Sequence, residues 1–138
     1  MQMRSCLMQG DRGGTIILIT SAGSLRTRPG ASAYQTTKLA INRLAQFIHA
    51  DHGKQGIRAF ALHPGGVLTK LGLSMPEDMH FILKDTPWLS GAACVYLASS
   101  RADFLRGRYV SSQWDVEELE ARQEEILEKD LLKMQMTI

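Results

Sequence analysis

Two short apolar runs, residues 15–20 (TIILIT) and 57–62 (IRAFAL), stand on either side of one long amphipathic stretch. Runs of this length, bounded by turn-forming residues, predict strands buried on both faces. Between them, Ser32 to His52 carries Leu39, Ile41, Leu44, Ala45 and Ile48 at helical spacing, and Gly53 and Gly56 stop it. Two strands joined through such a helix are parallel neighbours with a right-handed crossover. Residues 87–99 predict a second helix, with Pro87 in its first turn and Ala92, Ala93, Val95, Tyr96 and Leu97 facing inward. Residues 107–110 (GRYV) predict a brief third strand. The order strand–helix–strand–helix–strand defines an α/β chain, a parallel sheet of about three strands covered by helices.

At 138 residues the chain is long enough to bury one substantial core. No apolar run approaches the ~20 residues that cross a bilayer, and Met1 to Arg12 shows no secretory signal, so a cytoplasmic location without membrane contact is expected. Cys6 and Cys94 lie far apart with no CxxC or Cys/His cluster. That argues for a reducing compartment and against a disulfide or metal site. Up to Trp114 there are 13 Lys/Arg against 6 Asp/Glu, and from Asp115 onward 3 against 8. Arg26, Arg28, Lys38, Arg58 and Lys70 are scattered among apolar residues, without the basic stripe of a nucleic-acid surface.

The charge reversal divides the chain into a body, residues 1–114, and an acidic tail, residues 115–138. Asp115 and Glu118 have the spacing of a capping box opening a solvated tail helix. Its weak apolar seam is Leu119, Ile126, Leu127, Leu131 and Leu132, and Met134 and Met136 read as frayed. His49 and His52 fall at a helix end, where cations suit the dipole. Residues 67–86 predict a mobile loop with one helical turn.

The chemistry lies in Ser21, which ends the first strand, and in Tyr34 and Lys38, four residues apart and therefore on one helix face. A hydroxyl, a phenol and an ammonium gathered at a strand's carboxyl end can deliver a proton to a carbonyl oxygen. Thirteen residues separate Ser21 from Tyr34, and Pro64-Gly65-Gly66-Val67-Leu68-Thr69 and the late GRYV strand follow in order.

Together these features resemble the C-terminal half of the short-chain dehydrogenase/reductase family, from about Gly13 to Trp114, with a softer likeness to fungal members of secondary metabolism. The resemblance implies part of a doubly wound, Rossmann-like sheet and hydride chemistry between a nicotinamide and a small carbonyl or alcohol. It casts Tyr34 as general acid/base, Lys38 as the charge that makes the phenol more acidic and holds the nicotinamide ribose, and Ser21 as the group orienting the substrate oxygen. Cofactor contact is implied for Tyr34, Lys38, Pro64, Gly65, Val67 and Thr69, and substrate contact for Ser21, Ala22, Gly66 and His80. Residues 70–85 correspond to a substrate lid.

The family's Gly-rich turn follows a strand, whereas Gly10-Asp11-Arg12-Gly13-Gly14 precedes one. Weak or no NAD(P) binding by this chain alone is therefore expected, with NADP(H) mildly favoured by the basic body. The edge at Ile16 and Ile19 is expected to be open and to pair in a homo-oligomer or with a partner chain, unless the N-terminal segment rearranges over it. Two other functions stay open: cofactor-independent isomerisation, dehydration or cyclisation by the same three groups, and a non-catalytic role through oligomerisation.

Overall fold

The computed structural model describes residues 13–136. The expectations for Met1 to Arg12, including Cys6 and most of the glycine cluster at 10–14, lie outside them. Three strands, β1 (Gly14–Ile19), β2 (Ile57–His63) and β3 (Tyr109–Ser111), form a parallel sheet in the order β1-β2-β3. Gly14 lies opposite Ile57 and Ile19 opposite Leu62, while Ala61 to His63 pair with Tyr109 to Ser111. The expected α/β class and parallel sheet are what the chain forms. Helix α1 (Ser32–His52) crosses from β1 to β2. A short helix α2 (Lys70–Leu73), a 3-10 segment (Glu77–Ile82) and helix α3 (Pro87–Ala98) lead towards β3.

Period-two alternation divides the core between the sheet's faces. Phe60, Leu62 and Val110 pack with Leu97, Ala102, Phe104 and Leu105 on one side. Ile57 and Ala59 pack with Ile48 of α1 on the other. The inward face of α1 keeps part of the expected stripe: Ala45 and Ile48 are buried and Ile41 is half-buried, but Asn42 is buried with them while Leu39 and Leu44 are exposed, Leu44 by 48%. Leu44 precedes Ala45 by one residue, and one residue turns a helix by about 100°. Asn42 is tolerated inside because its amide donates to Ser24 Oγ at 2.8 Å. In α3, Ala93, Tyr96 and Leu97 face the core as expected and Cys94 joins them, but Ala92 and Val95 do not, Val95 being 73% exposed.

Arg58 is a tie rather than a surface charge. Its guanidinium donates to Thr15 Oγ1 at 2.6 Å, to the carbonyls of Ala98 and Ser99 at 2.6 and 2.8 Å, and to Asp103 at 3.2 Å. The start of the sheet is thereby joined to the end of α3.

The acidic tail also departs from expectation. Asp115 does cap a helix, accepting from the Glu117 and Glu118 amides at 2.8 and 3.0 Å. Two short helices follow instead of one, α4 (Val116–Ala121) and α5 (Gln123–Glu128). Leu119 and Ile126 join the Phe60–Leu97 cluster, so this segment is packed, not solvated. Beyond it, Arg108 is only 5% exposed. It donates to the Phe104 carbonyl at 3.1 Å and to the Leu131 carbonyl, and pairs with Asp130 at 2.9 Å. The Tyr109 amide donates to the Leu132 carbonyl at 2.8 Å, which covers part of the outer edge of β3. Met134 is half-buried, with its sulfur 3.7 Å from the Asn42 amide nitrogen.

His49 lies between α1 and this segment. Burial first, then the charges of Lys133, Arg106 and Arg108, push its pKa below the ordinary imidazole value, with Asp130 opposing. It is therefore not the cation expected at the end of α1. At the other end of the sheet β1 is an edge strand, with Ile19 exposed.

Candidate active site

In a parallel sheet all strands end on the same side, and the loops that leave those ends lie together. The Thr20 amide donates to the Leu62 carbonyl at 2.8 Å, so the chain leaving β1 at Ser21 and the chain leaving β2 at Pro64 start from adjacent points. Helix α1 is fastened over the first of these points twice. Thr20 Oγ1 donates to the Lys38 carbonyl, and Lys38 Nζ donates to the Ile19 carbonyl, both at 3.0 Å.

Ser21 caps the 3-10 turn Ala22–Leu25, its Oγ accepting from the Gly23 amide at 3.0 Å. A methyl group at Gly23 would lie 3.3 Å from Ser21 Oγ and 3.7 Å from Tyr34 Cε1. The serine hydroxyl and the tyrosine ring therefore flank one small volume, which a glycine leaves free. Lys38 Nζ is 5.7 Å from the centroid of the Tyr34 ring. The three expected groups are thus brought together, with Tyr34 44% exposed. The Ser21 O–H, the Tyr34 O–H and two of the three Lys38 N–H donors have no acceptor among the described residues. Ala22 adjoins Ser21 in the same turn. Tyr109, on β3, is held in its neutral form, burial pushing its pKa up to about 12.

The turn after β2 is built differently from a simple strand stop. Gly65 has φ +87°, and a Cβ there would lie 2.6 Å from Asp85 Oδ2. The Gly66 amide donates to Asp85 Oδ2 at 2.6 Å, and the Gly66 carbonyl accepts from the Asp85 amide at 2.9 Å. Both backbone groups of Gly66 are therefore engaged. Gln113, just beyond β3, donates to the same Asp85 oxygen at 2.7 Å. Asp85 and Gln113 escaped the sequence reading, because neither carries a local spacing signal; the adjacent glycines were the only hint of a close approach.

Thr69 caps α2, its Oγ1 accepting from the Gly72 amide at 3.1 Å. His80 stays within the 70–85 segment, its Nε2 lying 3.0 Å from the Met75 carbonyl. His63, at the end of β2, has its pKa lowered by burial, with Asp85 opposing. Among the described residues no acidic, histidine or cysteine cluster could hold a metal ion. The unused donors on Tyr34 and Lys38 fit the hydroxyls of a nicotinamide ribose. The Pro64–Thr69 segment lies at the neighbouring strand end. No described residue forms the Gly-rich turn that a pyrophosphate uses.

A parallel sheet with a hydroxyl, a phenol and an ammonium at its carboxyl end defines an α/β scaffold with a donor-rich site. The sequence profile described as short chain dehydrogenase matches residues 1–80, and the chain belongs to that family. It is 48% identical over 124 residues to a short chain dehydrogenase (mpl6) of Monascus purpureus, covering 90% of this chain and 42% of that one. With a short chain dehydrogenase (pgmD) of Aspergillus terreus the identity is 39% over 131 residues, covering 93% and 42%. The chain thus spans less than half the length of these relatives.

Among solved structures, a gluconate 5-dehydrogenase from Burkholderia cenocepacia J2315, in complex with NADP and tartrate, superposes with a TM-score of 0.64. The identity is 28%, over 72% of this chain and 43% of that one. A 7α-hydroxysteroid dehydrogenase complexed with NADH and 7-oxo glycochenodeoxycholic acid gives 0.61 and 27%, over 72% and 43%. No described helix is long and apolar enough to cross a membrane.

Proposed function

We propose that this chain carries the proton-transfer half of a short-chain dehydrogenase/reductase reaction on the carbonyl or alcohol of a small metabolite. The observation that carries it is that Ser21 and Tyr34 flank the space left by Gly23, with the Lys38 ammonium 5.7 Å from the centroid of the Tyr34 ring. In this reading the Ser21 hydroxyl donates to the substrate oxygen and fixes it. The Tyr34 hydroxyl gives its proton to that oxygen in reduction and takes it back in oxidation. Lys38, anchored on the Ile19 carbonyl, places an ammonium beside the Tyr34 ring and offers its spare N–H donors to the ribose. A nicotinamide dinucleotide supplies the hydride when bound. Relatives from fungi and solved NADP and NADH complexes support this reading.

The test is reduction of a panel of aliphatic and aromatic ketones with NADPH or NADH, comparing wild type with Tyr34→Phe. Loss of the phenolic proton should lower turnover by about 10²–10⁴-fold, the usual range for a positioned acid, with the circular dichroism spectrum unchanged. Equal turnover in both proteins would remove Tyr34 from the mechanism.

A second reading rests on the same donors, which need no dinucleotide to polarise a carbonyl. Deuterium uptake next to a ketone in heavy water, lost in Tyr34→Phe and independent of NADPH, would favour isomerase-type chemistry. For assembly, the exposed Ile19 edge supports pairing through β1 with a second copy or a partner chain. A monomer by light scattering, with β1 amides protected from exchange, would rule that pairing out. The half-buried free thiol of Cys94 suits a reducing, cytoplasmic setting.

A further inference from the structure

Asp85 stands at a junction of three chain segments. One carboxylate oxygen accepts from the Gly66 amide at 2.6 Å, in the turn after β2, and from the Gln113 side chain at 2.7 Å, just beyond β3. Its own amide returns a bond to the Gly66 carbonyl at 2.9 Å, and Val67 and Asp85 form an isolated parallel bridge. Among the described residues Asp85 has no ion-pair partner; its carboxylate accepts from two amide donors and lies close enough to His63 to act on that imidazole. Hydrogen bonds to an ionised carboxylate are about twice as strong as neutral ones.

The approach is too close for side chains on the turn. A Cβ on Gly66 would fall 2.0 Å from the Ile82 carbonyl oxygen, and one on Gly65 would fall 2.6 Å from the carboxylate itself. The intervening loop has its own internal bonds. Thr69 caps α2, the Leu83 amide donates to the His80 carbonyl, and a Cβ at Gly72 would lie 3.0 Å from the Leu83 side chain. An internally bonded loop whose far end is tied to a glycine turn can move only with that turn, unless the tie breaks.

We infer that Asp85 is a positioning residue: its carboxylate locks the Gly65–Gly66 turn to the base of the 70–85 loop, so that the two behave as one piece. This rests on the proposed function only for its consequence. The turn is the segment expected to meet the nicotinamide and the loop is the one expected to cover substrate, so locking them couples cofactor contact to substrate enclosure.

The test is amide hydrogen exchange by NMR on the full chain, in wild type, Asp85→Ala, Asp85→Asn and Gln113→Ala. In Asp85→Ala, exchange at Gly66 and across residues 70–84 should accelerate about tenfold or more, the scale of one lost bond to a charged group. Core amides of Phe60, Leu62 and Leu97 should stay unchanged. Asp85→Asn keeps an acceptor and should recover most of the protection, and Gln113→Ala should produce a smaller increase in the same residues. Unchanged exchange in Asp85→Ala, or acceleration shared equally with the core amides, would overturn the inference. NADPH titration of the wild type is read separately. Absence of binding there counts against the proposed function and leaves the exchange result, which alone decides the locking role, intact.

Discussion

Replacing Arg108 with methionine tests whether the C-terminal segment is part of the folded body. The guanidinium is 5% exposed and serves the Phe104 and Leu131 carbonyls and the Asp130 carboxylate. Methionine fills much of the same space without donors. Each buried carbonyl left unpaired costs about 1–3 kcal/mol. Asp130 is 53% exposed, so its loss is that of a screened surface pair, within about 1 kcal/mol. Removing the buried charge recovers part of the sum, because a desolvated guanidinium is itself expensive. The net expectation is a loss of about 2–4 kcal/mol, a large share of the 5–15 kcal/mol typical of a folded domain.

Urea denaturation followed by circular dichroism measures it, with Lys129→Met as control. Lys129 makes only an exposed pair with Glu125, and its loss should fall within about 0.5 kcal/mol. If Arg108→Met matched that control, the segment would be a solvated appendage and its buried contacts energetically idle.

The two faces of α1 should respond oppositely: Ile48→Ala should cost about 2–5 kcal/mol as a core truncation, and Leu44→Ala about 0.5 kcal/mol or less as a surface change, both by urea midpoint. For pH, the folded-state pKa values of His49 and His63 lie below the ordinary imidazole value, so the unfolded chain binds more protons. Stability is then complete above about pH 6.5 and falls as pH drops below it. This window is separate from that of Asp103, Glu120 and Asp130, whose lowered pKa values act only below the ordinary carboxylate range. The urea midpoint should decline between pH 7 and 5.5, and His49→Gln should flatten that slope; an equally steep slope in the variant would remove His49 as a contributor.

What was legible in the chain was what local rules write. Helix α1 runs from Ser32 to His52, as its flanking glycines and apolar spacing indicate, and β1 and β2 fall within one residue of the apolar runs. The face α1 buries was legible only in part, at Ala45 and Ile48, because that helix is apolar on two sides and the core side includes Asn42, which is paired with a serine 18 residues away. Nor was the docking of the tail: Arg108 and Asp130 carry no mutual spacing signal, and Asp130 adopts φ +50°, which no glycine announces. Of the site, Ser21, Tyr34 and Lys38 were visible because their spacing is short. Asp85 was not, because its partners, Gly66 and Gln113, come from two segments distant from it in the chain.

The three visible groups also share a structural duty that bears on their chemistry. Ser21 uses an oxygen lone pair to cap a turn, and Lys38 uses one proton to close the end of β1. Each is therefore held in place by the bond it has already made, and Ser21, Lys38 and Tyr34 all keep O–H or N–H donors, beside the remaining lone pairs of the two hydroxyls. A cluster that offers donors and no carboxylate suits an oxygen carrying partial or developing negative charge, such as a carbonyl or alkoxide, and repels a cation. At the adjacent strand end the polarity is reversed in kind: Gly66 has spent both its backbone groups on Asp85. The Gly66 backbone is thus engaged by Asp85, whereas Tyr34 and Lys38 keep donors without acceptors among the described residues.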